Sequence, residues 1–283
     1  MQIRIMTYNI RHGEGMDDVI DLDRQAQVIQ DATPDVVGLQ EVDSVVKRSS
    51  YIHQAGYLGE ALGMYATFGG AIPLTRGKYG VAILSKEAPM SVHHLPLPGN
   101  EARTLLVCEF EEYVFATTHL DLDEECRLAS LPIIIEEAAS WDKPFFICGD
   151  WNDQPSSTFI TKVKKSFVFL NNTTNSSANY TFPARNPTKI IDYIASYGRV
   201  IKSIRSRRVI NEPEASDHRP VLVEVKMERY TTDISSPAAD NASIAEEEIY
   251  DLSGKRVMGQ LQKGIYIRRQ GSANADGKKL VIR

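Results

Sequence analysis

A mixed α/β fold followed by a small β appendage is what these 283 residues predict. Three observations carry the prediction. Strand-length apolar runs are interspersed with stretches of helical spacing across 1–229, the pattern of a layered α/β domain. The runs at 104–110 and 113–120 are joined only by Glu111-Glu112, which reads as a hairpin, so the sheet is mixed and not purely parallel. Near Arg229 the composition changes. Residues 230–243 are rich in Thr, Ser, Asp, Ala and Asn and read as a linker, and 244–283 hold short β-like runs separated by glycines.

The elements follow in order. Ile3 and Ile5 alternate along 2–9, a strand that ends at Tyr8-Asn9. Leu22, Ala26 and Ile29 stand at helical spacing in 22–32. A strand is expected over 35–40, a helix over 51–62, and strands over 80–85, 104–110 and 113–120. Residues 124–140 suit a helix, which Pro132 is expected to interrupt or kink. Phe145–Cys148 reads as a buried strand, and runs at 190–195 and 221–225 close the series. No short-period repeat is present.

Composition excludes several classes. With 42% hydrophobic and 24% charged residues, the chain is neither wholly disordered nor collagenous nor a coiled coil. No apolar run approaches the ~18–20 residues that span a bilayer, so no transmembrane segment is expected. Net charge is −5, and over 1–230 there are 24 Lys and Arg against 30 Asp and Glu, which gives no support for a dedicated nonspecific nucleic-acid binder. Cys108, Cys126 and Cys148 form neither a disulfide framework nor a zinc pattern, and Cys108 and Cys148 read as small packed hydrophobes. Met1 leads almost directly into a strand without the features of a leader peptide. Either the protein stays in the cytoplasm or a leader is missing from this sequence.

Polar residues recur at the ends of the apolar strands, where a packed sheet presents them together at one rim. Asn9 follows Ile3–Tyr8, Gln40-Glu41 follows Val36–Leu39, and His119 follows Val114–Thr118. Asp150-Trp151-Asn152 follows Phe145–Gly149, Asp192 interrupts Ile190-Ile191 and Tyr193-Ile194, and Ser216-Asp217-His218 precedes Val221. An acid inside an apolar strand is costly unless it is paired or bound to a cation. Several such acids point to a hard divalent metal, because carboxylate and amide oxygens suit Mg²⁺. A histidine with an acid in reach makes an oriented general base.

The segments Thr7–Ile10, Leu39–Glu41, Gly80–Ser85, Thr118–Leu120, Gly149–Asn152, Ile191–Ile194 and Ser216–His218, taken in this order, resemble the motifs of the endonuclease/exonuclease/phosphatase superfamily. The resemblance implies a four-layer α/β/β/α sandwich of two mixed sheets and a metal-dependent phosphoester hydrolase. By the same resemblance Glu41 is the main ligand of Mg²⁺ (Mn²⁺ or Ca²⁺ being alternatives), with Asn9 beside it and Asp217 contributing. His218 is the general base, Asp192 holds its second ring nitrogen, Asp150 and Asn152 orient water and phosphate, and His119 contacts the scissile phosphate. Arg103 matches a position that contacts phosphate in relatives, and Arg48 is a second candidate for that role, since a guanidinium fork suits phosphate. Val81 stands where many relatives carry Asn, which removes a polar contact there. Trp151 fills a variable position and is expected to pack. His12, His53, His93 and His94 belong to no motif and are read as structural or exposed.

Ile249–Arg256, Lys263–Ile267 and Gly277–Arg283 resemble the C-terminal sorting tails of secreted Bacteroidetes proteins. That likeness implies a small β-sandwich module, export to the periplasm or beyond, and a leader absent here. Expected partners are a phosphate-ester substrate, whether a small molecule, a lipid headgroup or nucleic acid, acted on by a monomer. The acidic balance of the body favours a small phosphodiester, a phosphorylated sugar or a lipid headgroup over nucleic acid. The competing readings are a catalytically inactive binding module on the same fold, a DNA-specific nuclease, and a surface protein whose tail carries the function.

Overall fold

The computed structural model describes residues 1–198, 200–227, 247–250, 264–270 and 278–282. The chain divides into two compact units, Met1–Thr231 and Thr232–Arg283. In the first, β1 (Gln2–Asn9) leads through helix α1 (Leu22–Ala32) to β2 (Val36–Ser44), followed by α2 (Gln54–Leu62), β3 (Tyr65–Leu74) and β4 (Gly77–Ser85). Next come β5 (Ser91–Leu97), β6 (Arg103–Glu109) and β7 (Val114–His119), which leads through α3 (Glu124–Ala139) to β8 (Phe145–Asp150). Helix α4 (Thr158–Val163) and strands β9 (Phe167–Phe169), β10 (Asp192–Tyr197), β11 (Ile201–Val209) and β12 (Val221–Met227) complete this unit.

The strands form two six-stranded sheets, β11-β12-β1-β2-β4-β3 and β5-β6-β7-β8-β10-β9. Each is mixed in the same way. One parallel pair, β1/β2 or β7/β8, sits at the centre, and every other pairing is antiparallel. A parallel pair needs a crossover, and α1 and α3 supply it. The Asp21 carboxylate accepts hydrogen bonds from the Asp23 and Arg24 N–H groups at the start of α1, and Asp123 does the same for Glu125 and Cys126 of α3. Helix α3 is not interrupted at Pro132. Leu131 and Ile134, on either side, stay buried, and their packing holds the turn through the lost N–H.

Three buried clusters define four layers. Met6, Tyr8, Val37 and Leu39 pack against Leu22, Ile29 and Leu58 of the helices over the first sheet. Ile3, Ile5, Val221 and Val223 meet Phe115, Phe146, Cys148 and Ile194 between the sheets. Val114, Ala116, Phe145 and Ile147 pack on Leu131, Ile134, Phe159 and Ile160 under the remaining helices. The alternation along each strand therefore sends successive residues to opposite interfaces, as period-two geometry requires. Each fully buried large apolar side chain contributes about 1.5–3 kcal/mol. The result is the expected α/β/β/α sandwich.

A buried polar brace crosses the sheet–sheet interface near one rim. The Gln40 amide donates to Thr117 Oγ1 at 2.9 Å, and Thr7 Oγ1 donates to Gln40 Oε1 at 3.2 Å. Gly38 lies in the same close approach, since a Cβ there would sit 2.2 Å from Cys148 Sγ.

The second unit contributes β13 (Glu247–Tyr250), β14 (Gly264–Gln270) and β15 (Lys278–Ile282), paired antiparallel in that order. The expected linker at 230–243 lies outside the described residues, as do residues 251–256, 263, 277 and 283 of the segments on which the sorting-tail resemblance rests. No helix among the described residues is long and apolar enough to cross a membrane.

Candidate active site

The central strands of both sheets deliver their polar ends to one rim. In the first sheet, Asn9 at the end of β1 pairs in register with Gln40, just before the irregularity midway along β2. The β2/β4 register then shifts between Leu39 and Val42, and Glu41 sits in that bulge with φ 58°. A bulge re-aims a side chain at the cost of local backbone strain, and Glu41 is turned into the cleft. In the second sheet, parallel pairing sets His119 beside Asp150, and antiparallel pairing sets Asp192 opposite Asp150. Gly149 is required where it stands, because φ is +153° and a Cβ would lie 1.9 Å from the Thr118 carbonyl oxygen. Beyond Asp150 the chain makes an Asx turn, with Asn152 N–H donating to Asp150 Oδ1 at 2.9 Å and Asn152 at φ 50°.

The loop before β12 brings the remaining groups. Ser216 Oγ donates to the Asn9 carbonyl at 2.7 Å and so ties this loop to β1. His218 is buried, and its Nδ1 lies 3.0 Å from Asp192 Oδ2. Its Nε2 lies 3.5 Å from Asp150 Oδ2, which is also 3.5 Å from His119 Nε2. Asn9 Nδ2 donates to the same Asp150 oxygen at 3.2 Å and to Glu41 Oε1 at 3.0 Å. One Asp150 oxygen thus faces two imidazoles and an amide.

The two imidazoles experience opposite fields. Burial disfavours the charged form of each. For His218, Asp192 and Asp150 more than offset that and push its pKa up to about 10. For His119, burial prevails over Asp150, with Arg103 and His218 adding to it, and its pKa falls to about 4. Asp150 is itself raised, chiefly by burial. Ligand atoms of Asp150, Asp192 and His218 lie within 4.8 Å of one another, a grouping able to hold a metal ion.

The residues expected from sequence are gathered, with two qualifications. Glu41, Arg103, His119, Asp150, Asn152, Asp217 and His218 line one cleft of about 480 Å³, and Asp192 lies behind His218. Asn9 faces the acids with its amide nitrogen, because Arg11 N–H donates to its Oδ1 at 3.0 Å. Arg48 is not among the cleft-lining residues. It spends Nε and Nη2 on the buried Asp43 at 2.8 Å each and packs over Tyr79.

Residues outside the motifs also serve the cleft. Tyr79, Glu101, Leu122, Gln154, Phe182 and Lys189 line it. The Phe182 ring packs on the His218 imidazole at 4.8 Å between centroids, and Phe182 is bridged to Lys189 across a short antiparallel pairing. Asp121, two residues after His119, is buried and lies 3.5 Å from Arg103. Its closeness to the Thr118–Leu120 segment is the one signal in the sequence that marks it. Trp151 packs on Tyr193, Phe159 and Phe169, and Val81 is buried between the sheets. His53 accepts from Gly56 N–H at the start of α2, His93 packs on Trp141, and His12 pairs with Glu14.

Comparison with known proteins gives the same architecture. The chain resembles the endonuclease/exonuclease/phosphatase from Bacteroides vulgatus at 22% identity and a TM-score of 0.66, over 81% of this chain and 100% of that one. It resembles the mannosyl-6-phosphatase of Bacteroides thetaiotaomicron at 20% identity and a TM-score of 0.61, over 79% and 99%. The human Nocturnin catalytic domain, solved with a bound sulfate anion, gives 20% identity and a TM-score of 0.62, over 80% and 94%. No curated protein matches the chain. The model of the endonuclease/exonuclease/phosphatase family matches residues 6–218, most of the sequence, and the chain belongs to that family.

Proposed function

We propose that the protein is a divalent-metal-dependent phosphoester hydrolase in which His218, backed by Asp192, activates water. The observation that carries this reading is the buried Asp192–His218 pair aimed at Asp150. Asp192 holds Nδ1–H and aims Nε2 toward the cleft; the carboxylates that raise the His218 pKa would keep the ring protonated, and a bound divalent ion that offsets their field would free Nε2 to accept a proton from water. Asp150 and Asn152 orient the attacking water and the phosphate, and His119, kept neutral by burial, contacts the phosphoryl group. Arg103 binds a phosphoryl oxygen. Arg48, with its fork filled, steadies Asp43 at the end of β2 instead.

The donor set fits a hard cation. Glu41 and Asp150 meet at the Asn9 amide, Asp217 shares the cleft, and all offer oxygen. Glu41 and Asp217 would hold Mg²⁺ or Mn²⁺, with Asn9 spacing Glu41 from Asp150. A bound divalent ion supplies Lewis-acid stabilisation of the phosphoryl oxygens and offsets the carboxylate charge of the cleft. Proteins of the same fold include a mannosyl-6-phosphatase and a catalytic domain solved with a bound sulfate anion, which is in keeping with a phosphoester substrate. An inactive binding module is disfavoured because the base, its partner acid and the rim carboxylates are all in place.

Hydrolysis of p-nitrophenyl phosphate and bis-p-nitrophenyl phosphate by the full chain, with Mg²⁺ or Mn²⁺ and then with chelator, tests the reading. Activity should require the metal, and His218→Ala should lower kcat by ~10²–10⁴-fold with the fold intact by circular dichroism. Chelator-insensitive turnover, or a His218→Ala protein as fast as wild type, would overturn it. A panel of plasmid DNA, sphingomyelin, inositol phosphates and sugar phosphates separates the substrate classes.

A further inference from the structure

Five carboxylates line the cleft, those of Glu41, Glu101, Asp150, Asp153 and Asp217, against two cationic side chains, Arg103 and Lys189. Most of these charges have a settled place. Asp153 is paired with Arg127 at 3.1 Å, and Asp150 faces the imidazoles. Arg103 is different. Its side chain is only 6% exposed, and it meets two acids of opposite character. Asp121 is buried, lies 3.5 Å from Nε, and also accepts from the Asp123 and Glu101 N–H groups, so it is a fixed counter-ion. Glu101 accepts from Nη2 at 3.3 Å, yet its side chain is 64% exposed. The loop that carries Glu101 presses closely on this pair, since a Cβ on Gly99 would lie 2.9 Å from Arg103 Cγ and 3.0 Å from Asp121 Oδ2.

The geometry points to Glu101 as a displaceable counter-ion of Arg103 that selects compact substrates carrying a single phosphate over polyanionic chains. This rests on the phosphoesterase reading above. A carboxylate and a phosphate compete for the same N–H of a guanidinium fork. Phosphate binding at Nη2 therefore displaces the Glu101 carboxylate, while Asp121 keeps Arg103 in place through Nε. The displaced carboxylate stays at the rim, within a side chain's length of the bound phosphate. A substrate whose neighbouring groups are uncharged meets this repulsion once. A nucleic-acid strand meets it again at each flanking phosphate. Among the described residues, Lys189 is the one cationic side chain of the cleft with no ion pair, too little to offset a chain of phosphates.

The test is Glu101→Gln in the full chain with Mg²⁺ or Mn²⁺, on whichever of p-nitrophenyl phosphate and bis-p-nitrophenyl phosphate the wild type hydrolyses faster. KM should fall about fivefold, the scale of a half-exposed charge pair, with kcat moving less. The inhibition constant of a phosphorothioate oligonucleotide should fall by more than KM does. In wild type that constant should improve as NaCl rises from 25 to 300 mM, roughly a threefold contraction of the screening length, and in Glu101→Gln that dependence should be weaker, the other cleft carboxylates being unchanged. A structural role alone would move none of the salt response. An unchanged or higher KM, or an oligonucleotide response identical to wild type, overturns the role of Glu101. Wild type that hydrolyses neither ester with any divalent metal overturns the phosphoesterase reading instead, so the activity of the wild type tells the two failures apart.

Discussion

The rims of the two sheets meet at one cleft but are built differently. The first sheet offers Glu41 from a strained bulge and Asp217 from a loop, both partly open to solvent. The second offers Asp150 and Asp192 from regular strands, both about 1% exposed and engaged by imidazoles and amides. Open carboxylates keep their charge and can take a cation, whereas buried ones are tolerable only where hydrogen-bond donors or charges answer them. Under the proposed function the first rim would hold the metal and the second would move the proton, a division of labour.

Substitutions that separate the rims come first by size of effect. Asp192→Asn should lower kcat by about 10²–10³-fold by releasing the His218 tautomer, and added metal should not restore it. Recovery of that variant in high Mn²⁺ would place the cation on the second rim and break the division. Glu41→Ala should lose about a hundredfold at low metal and recover in part as metal is raised, measured as a shift in the activating metal concentration. Gln40→Leu tests the brace between the rims. It leaves the Thr7 and Thr117 hydroxyls without their buried partner and should cost about 1–3 kcal/mol in denaturant unfolding.

The smallest effect is a difference in pH response with chelator present. His119 has a folded pKa below its unfolded value, so the unfolded state binds more protons as pH falls from about 6.5 to 4, and stability is lost over that window. His218 is raised, so its contribution is present below its unfolded pKa and is lost as pH rises toward about 10. His119→Gln should flatten the acid arm of the melting curve, and His218→Gln the alkaline arm, each by roughly 4 °C in Tm. Arms that flatten in the opposite assignment would contradict the fields described at the site.

What the sequence concealed has a physical pattern. The inner strands were legible because they are apolar on both faces. The four strands that no sequence pattern marked, β3, β5, β9 and β11, are the edges of the two sheets. Edges carry the features that blunt aggregation and hide periodicity, here Gly69-Gly70 and Pro73 in β3, His93-His94 and Pro96 in β5, and Lys202, Arg205, Arg207 and Arg208 in β11. The rim residues at strand ends were legible for the same reason as the strands. Glu101, Phe182 and Lys189 lie on connections, where no period marks a side chain that turns inward. Arg48 shows the converse, since a basic residue near a motif gives no sign of the buried Asp43 that claims it.

Strands β1 and β12 run antiparallel, so their paired ends fall at the pole remote from Asn9 and Val221. There Met1 and Met227 exchange backbone hydrogen bonds of 3.0 Å in both directions. The catalytic unit is therefore almost a closed ring. With residues 232–283 removed, a short peptide joining the end of this unit to Met1 should permit circular permutation, and in the unpermuted chain a reporter placed before Met1 would sit at the pole remote from the cleft.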